Sequence, residues 1–247
     1  MNEFYVVGIG PGSFEQMTIK AREVLAAVDV IAGYNAYLDL VRPYFPDKEY
    51  LGNGMTGEVK RCEAALAQAL TGKTVAMISS GDAGIYGMAG LILELSRDLD
   101  LKIVTIPGVT AAASGAALLG APLMHDFAVI SLSNRLTDWE LIEKRLRLAA
   151  EADFSIVLYN PRSKGRPDGL EKARQICLEW KKPDTPVGIV KNIGRPGEVA
   201  LVTTLEKMDI SAVDMFSTVF IGNSKTFAEN GLMVTPRGYL KKGAEKA

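Results

Sequence analysis

Apolar residues recur along this chain at two spacings, and the spacings alternate. Short runs of neighbouring apolar residues, Phe4-Tyr5-Val6-Val7, Val30-Ile31-Ala32, Val75-Ala76-Met77-Ile78 and Ile103-Val104-Thr105-Ile106, predict buried strands. Between them apolar residues fall three or four apart. Thr18 is the expected N-cap of a helix carrying Ala21, Leu25 and Val28 on one face, and a short helix is expected over 37–41. Thr56 is the expected cap of another, whose stripe is Val59, Cys62, Leu66, Ala69 and Leu70 and whose end is marked by Gly72. Residues 91–95 predict a helix, as do the small residues 111–117 after Thr110. Strands alternating with helices predict an α/β fold with a parallel, doubly wound sheet.

Gly120-Ala121-Pro122 interrupts the pattern, so two domains are expected: an N-terminal α/β domain over 1–120 and a C-terminal α/β domain over 121–240, with a frayed polar tail at 241–247. The second half predicts strands at 127–132, 154–159, 187–190, 199–203 and 218–221, and helices at 139–150 and 170–180. The turn Gly194-Arg195-Pro196-Gly197 predicts a hairpin and hence a mixed C-terminal sheet.

Composition narrows the chemistry. In 247 residues the net charge is -1, which argues against nucleic-acid or membrane-surface binding. No apolar run approaches the ~20 residues of a membrane span. The start lacks the basic and apolar regions of a signal peptide, so a cytoplasmic protein is expected. Two distant cysteines, Cys62 and Cys177, and one histidine, His125, give little material for a metal site, disulfide framework or His-based triad; none is expected. His125 is assigned a structural hydrogen bond.

The loops carry the functional signal. Gly8-Ile9-Gly10-Pro11-Gly12 invites a dinucleotide reading, but position 13 is Ser and Pro11 lacks a backbone donor, and no Walker Lys-Ser/Thr follows. After the strand at 75–78 comes a loop with glycines at 81, 84, 87 and 90, the last two spaced to admit another backbone. Its Asp82 would repel a phosphate. It suits a partner with hydroxyls or positive charge, the alternative being a cap on the following helix. Farther on, the loop Tyr159-Asn160-Pro161-Arg162-Ser163-Lys164-Gly165-Arg166, the loop Lys191-Asn192-Ile193-Gly194-Arg195, and Arg135 and Arg237 offer a patch for a small polyanion.

Val7-Gly8-Ile9-Gly10-Pro11-Gly12, Ser80-Gly81-Asp82, Pro107-Gly108-Val109-Thr110-Ala111 and Tyr159-Asn160-Pro161-Arg162-Ser163 resemble the tetrapyrrole (corrin/porphyrin) methylases. Gly33-Tyr34 with Tyr37-Leu38, Gly54-Met55-Thr56, Ile130-Ser131-Leu132-Ser133 and Thr235-Pro236-Arg237-Gly238-Tyr239 resemble a branch of that family in cobalamin biosynthesis. The resemblance covers essentially the whole chain. It implies two α/β domains, usually in a homodimer, with S-adenosylmethionine in the cleft between them, and methyl transfer to C-17 of a precorrin macrocycle with ring contraction. It assigns donor contacts to Pro11, Ser80, Gly81, Asp82, Ile85, Tyr86, Thr110, Ala111, Tyr159, Asn160, Asn192, Ile193 and Thr218. Substrate contacts fall to Arg135, Arg162, Lys191, Arg195 and Arg237, and substrate polarisation to Tyr34, Asn53 and Thr56. Tyr34 and Asn53 stand where related uroporphyrinogen methylases have an Asp and a Lys. Rival readings are a methylase of another ring carbon, a nicotinamide-dependent oxidoreductase and a non-catalytic tetrapyrrole carrier.

Overall fold

In a computed structural model the described residues are 2–54, 56–163 and 165–239; Met55, Lys164 and the expected tail at 241–247 lie outside them. The chain divides into two compact units, Met1–Ala111 and Ala112–Ala247. The Gly-Ala-Pro break chosen from sequence follows the small-residue helix, which groups almost wholly with the second unit.

The first unit runs β1 (Asn2–Gly8), α1 (Ile19–Ala27), β2 (Val30–Tyr34), α2 (Asn35–Val41), β3 (Glu49–Asn53), α3 (Glu58–Leu70), β4 (Val75–Ser79), α4 (Ala89–Leu95) and β5 (Leu101–Ile106). Its sheet has the order β3-β2-β4-β1-β5 with every pair parallel. Alternate strand residues feed two cores. Val7, Ile31, Ile78 and Ile106 pack with α1 and α2, while Phe4, Val6, Ala32 and Met77 pack with α3 and α4. Cover on both faces explains why the central strands read as unbroken apolar runs.

Thr18 caps α1 as expected, its hydroxyl accepting from Ala21 N–H at 3.1 Å. Thr56 does not cap α3. Gly57 takes the N-cap position without a side-chain bond, and Thr56 sits in a left-handed conformation at φ 69°. The buried stripe of α3 is also rotated from the expected one: Arg61, Cys62, Ala65, Leu66 and Ala69 face inward, while Val59 and Leu70 are about half exposed. The small alanines let the helix sit close to the sheet. The edge strand β3 escaped the sequence pattern because its residues are half-buried or exposed, so it has no apolar run.

The second unit holds α5 (Ala111–Leu119, all but its first residue), β6 (Gly120–Ala121), β7 (Phe127–Ser131), α6 (Trp139–Glu151), β8 (Ser155–Tyr159), α7 (Gly169–Leu178), β9 (Pro186–Lys191), β10 (Val199–Thr204), β11 (Ser217–Ile221), β12 (Phe227–Glu229) and β13 (Leu232–Val234). Its main sheet has the order β10-β9-β11-β8-β7 and is mixed: β7 and β8 run parallel, the other neighbours antiparallel. The expected hairpin is β9–β10. Gly115 lets α5 lie on this sheet, since a Cβ there would come within 2.8 Å of both Phe220 and Val190. On the core formed with α6 and α7, Ile142, Leu146, Ala173 and Ile176 meet Ile156, Leu158, Ile189 and Val219. A small sheet, β12-β13-β6, was not foreseen; strands this short give no period to read.

Both cysteines are free and buried, and burial pushes each thiol from 9.0 up to about 11. In the unfolded chain these thiols ionise first. Their contribution to stability is therefore complete below pH 9 and is lost as pH rises towards 11. Buried Lys181, whose pKa burial lowers, works in the opposite sense. The expected result is a flatter fall in melting temperature between pH 9 and 11 for Cys62→Ala than for the parent, read by calorimetry. Parallel curves would show that the Cys62 thiol makes no such contribution.

Candidate active site

The connection from β1 crosses β4 to reach β2, and that from β4 crosses β1 to reach β5, so β1 and β4 bound the topological switch point where such sheets place ligands. Here the two loops are stitched together. Gly10 and Gly81 exchange backbone hydrogen bonds of 3.0 and 2.7 Å, and Ile9 N–H donates to Ser79 O at 2.9 Å. With these amides engaged and Pro11 lacking one, the loop offers no cradle for a pyrophosphate. Gly10 and Gly81 both need positive φ, 74° and 70°. Gly8, Gly81 and Gly108 then meet backbone to backbone: a Cβ on Gly108 would lie 2.1 Å from Gly81 O, and one on Gly8 would lie 2.6 Å from Gly108 N.

Asp82 joins two of these loops. One oxygen accepts from Gly84 N–H at 2.8 Å and the other from Gly108 N–H at 2.9 Å. It is not a helix cap, because α4 starts only at Ala89 with Met88 in the cap position. The carboxylate is half-buried, and each oxygen keeps a further lone pair. Ile85 and Tyr86 follow it as exposed apolar side chains, Tyr86 at φ 54°. A Cβ on Gly81 would stand 3.6 Å from Thr110 Cα and 3.8 Å from Ala111 N, so those residues border the same loops as Ser80 and Asp82, and Pro11 follows Gly10 in the stitched turn. The spacing of three did not mark the packing glycines. Gly87 crowds only its own loop, 2.4 Å from Ala83 O, and Gly90 has open space.

Tyr34 and Asn53 are register partners at the carboxyl ends of β2 and β3. Tyr34 stacks edge-on with Tyr37, centroids 5.2 Å apart. The Asn53 Nδ2 donates to Gly57 O at 2.9 Å, and its Oδ1 accepts from Arg61 Nη1. Thr56 is exposed within the turn that this amide spans. Sequence reasoning missed Arg61. Its signal was an arginine in line with Ala65 and Ala69 at helical spacing.

In the second unit Tyr159, Asn160, Asn192 and Ile193 stand at or just past the ends of β8 and β9, and Lys191 lies opposite Ser217 at the same end of the sheet. Tyr159 Oη accepts from Ala112 N–H at 2.6 Å, and Asn160 Nδ2 donates to Ser131 Oγ at 2.9 Å. Asn160 and Asn192 take positive φ of 51° and 52°. Ile193 and Thr218 are buried. The cations differ in their engagement. Lys191 pairs with Asp214 at 2.7 Å, and Arg162 Nη1 reaches the carbonyls of Ile210, Ser211 and Val213 at 3.3–3.4 Å. Arg195 is half-buried, its backbone N–H donating to Asn192 O at 2.9 Å. Arg135 is exposed. Arg166, bonded to Leu132 O at 3.3 Å, has its pKa lowered by burial and then by the charge of Arg135. Arg237 is exposed beyond β13. His125 makes a local bond, Nδ1 accepting from Asp126 N–H at 2.9 Å. Among the described residues no group of acidic, His or Cys side chains could hold a metal ion, and no helix is long and apolar enough to cross a membrane.

A parallel unit with stitched carboxyl-end loops and a mixed-sheet unit define a two-domain α/β protein whose switch-point loops form no phosphate cradle. Residues 3–209 match the model of the Tetrapyrrole (Corrin/Porphyrin) Methylases, and the chain belongs to that family. It is 52% identical to a probable cobalt-factor III C(17)-methyltransferase of Salmonella typhimurium, over 95% of this chain and 98% of that one. It is 47% identical to the cobalt-factor III methyltransferase of Priestia megaterium, covering 96% of this chain but 45% of that longer protein, and 40% identical to the precorrin-3B C(17)-methyltransferase of a Sinorhizobium species over 95% and 96%. Among solved structures, the methyltransferase CobJ superposes with a TM-score of 0.90 at 32% identity, covering 96% of this chain and 100% of that one.

Proposed function

We propose that this chain transfers a methyl group from S-adenosylmethionine to C-17 of cobalt-factor III, with ring contraction, in cobalamin biosynthesis. The observation that carries the reading is the 52% identity with the Salmonella relative over nearly the full length of both chains. The cobalt-containing macrocycle is chosen over precorrin-3B because the relatives named for it stand at 52% and 47%, against 40%. The reading includes a cytoplasmic location, and the family resemblance adds a homodimer.

The residues at the switch point fit the donor. A nucleotide would need free backbone amides, and those of Ile9 and Gly10 are engaged. A sulfonium nucleoside is cationic and carries a diol and an ammonium group, all partners for the remaining lone pairs of Asp82. When bound, the sulfonium supplies an electrophilic methyl group. The chain orients that group and excludes water, work worth up to ~7–11 kcal/mol in favourable cases. Ile85 and Tyr86 offer apolar cover, while Ser80, Thr110 and Ala111 border the loop that carries Asp82. Tyr34, Asn53 and Thr56 at the ends of β2 and β3 meet the macrocycle, and the paired cations Arg135 and Arg166 suit carboxylates.

Thermal-shift titration tests the donor. S-adenosylhomocysteine at 100 times its Kd should stabilise the chain by about 2.7 kcal/mol. For a chain of this size that is roughly 5–10 °C. NAD should give no shift. The reverse pattern would overturn the reading in favour of an oxidoreductase, and a shift with the macrocycle alone would favour a carrier. Mass spectrometry and NMR of the product then locate the methyl group; any carbon other than C-17 refutes the assignment.

A further inference from the structure

We propose that Arg61 is a positioning residue for the reaction: it fixes the side-chain amide of Asn53 as a hydrogen-bond donor to an acceptor oxygen of the macrocycle. The inference rests on the reading above, that the macrocycle meets the ends of β2 and β3.

Arg61 is 5% exposed, on the inward face of α3. A buried guanidinium costs several kcal/mol unless it is compensated. Among the described residues this one makes no ion pair, and its Nε has no hydrogen-bond partner. Its bonds are from Nη1, to Asn53 Oδ1 and, at 3.5 Å, to Gly54 O. A methionine would fill such a space at lower cost. The charge acts on the turn after β3.

There it removes an ambiguity. An asparagine amide can present either its oxygen or its nitrogen, but arginine only donates, so Oδ1 must face Arg61. Nδ2 is thereby turned the other way, and one of its hydrogens goes to Gly57 O at 2.9 Å. The turn makes room for this amide: a Cβ on Gly57 would come 2.5 Å from Nδ2. The second Nδ2 hydrogen has no partner among the described residues, and Asn53 is half-exposed. A cation bonded to Oδ1 withdraws charge from the amide and strengthens that N–H as a donor. Asn53 therefore presents a polarised donor, matched to a carboxylate, carbonyl or lactone oxygen and mismatched to another donor.

The experiment compares Arg61→Met, Arg61→Lys, Asn53→Ala and the double variant Arg61→Met/Asn53→Ala. Turnover of cobalt-factor III, S-adenosylhomocysteine affinity and hydrogen exchange across 53–57 are measured on each. Loss of a preorganised donor to a developing negative charge typically costs about 10²–10³-fold in kcat. Arg61→Met and Asn53→Ala should each slow turnover about 10²-fold at saturating macrocycle, with S-adenosylhomocysteine affinity unchanged. The double variant should be no slower than either single one, because the two residues act as one unit. Arg61→Lys, which keeps the charge without the fork, should fall between and covers the case in which the methionine variant does not fold. Additive losses, or variants that lose only thermal stability while keeping kcat, would overturn the proposal. If the parent protein does not turn over cobalt-factor III, the substrate reading fails. Hydrogen exchange then judges the clamp alone, and unchanged exchange in Arg61→Met would refute it.

Discussion

Gly108→Ala is expected to unravel the switch point, although it adds a single methyl group. The new Cβ would lie 2.1 Å from Gly81 O, 2.6 Å from Gly8 C and 2.7 Å from Gly8 O. These are backbone atoms of loops anchored at the ends of β4 and β1, so no side chain can rotate away. The same shift would pull Gly108 N–H from Asp82. Overpacking of this kind costs about 1–3 kcal/mol or more. We expect the upper end, a melting temperature lower by roughly 6–12 °C, and S-adenosylhomocysteine binding weakened at least tenfold. Gly90→Ala is the internal control. It lies in α4 with nothing within 4 Å of the added carbon. It should leave donor binding intact and stabilise by about 0.5–1 kcal/mol. If Gly108→Ala melts and binds like Gly90→Ala, the three glycines are not a close-packed knot.

Asp82 should show the second large effect, and two substitutions separate its roles. Asp82→Ala removes the acceptors for both Gly84 and Gly108. Each deserted amide costs about 1–3 kcal/mol, less where water reaches it. Asp82→Asn keeps one acceptor but turns an NH2 group towards the other amide and removes the charge. Charge-assisted bonds are worth about 1.5–3 kcal/mol, so the asparagine variant should bind S-adenosylhomocysteine roughly ten- to hundredfold more weakly with a smaller loss of stability than the alanine variant. Calorimetric titration and thermal melts measure both quantities. Unchanged affinity in either variant, with stability lost, would reduce Asp82 to a brace between loops.

The sequence was legible where burial is uniform. β1, β2 and β4 are covered by helices on both faces and show as apolar runs. The partly exposed edge strand β5 keeps enough apolar residues to show as one too, and Thr18 announces α1 because its bond to Ala21 is local. The α3 cap was misread because Thr56 looks like one, whereas the turn is governed by the Asn53 amide and by a buried Arg61. The expected stripe of that helix held no charged residue. β3 is half-exposed, and β6, β12 and β13 are too short to carry a period. The glycine series at 81, 84, 87 and 90 drew attention by its regularity, yet the packing set is 8, 81 and 108, which parallel strand ends bring together from distant positions. Asp82 was recognisable as an anion in the glycine-rich loop after β4. That it also bonds Gly108, 26 residues away, was not. The short motifs of the family resemblance, Ser80-Gly81-Asp82 and Pro107-Gly108, are thus neighbours in space.

The knot also constrains how the protein is made. β1 lies between β4 and β5 in its sheet, although both are synthesised after it, and β5 is the last strand of the first unit to be made. Until residue 108 emerges, one oxygen of Asp82 lacks its partner and the turn at Gly8 has nothing to close against. Long-range parallel pairings of this kind form slowly and leave apolar strands uncovered meanwhile. The switch point is therefore completed in one step late in the synthesis of the first unit, and a nascent chain halted before β5 lacks it and is prone to aggregate.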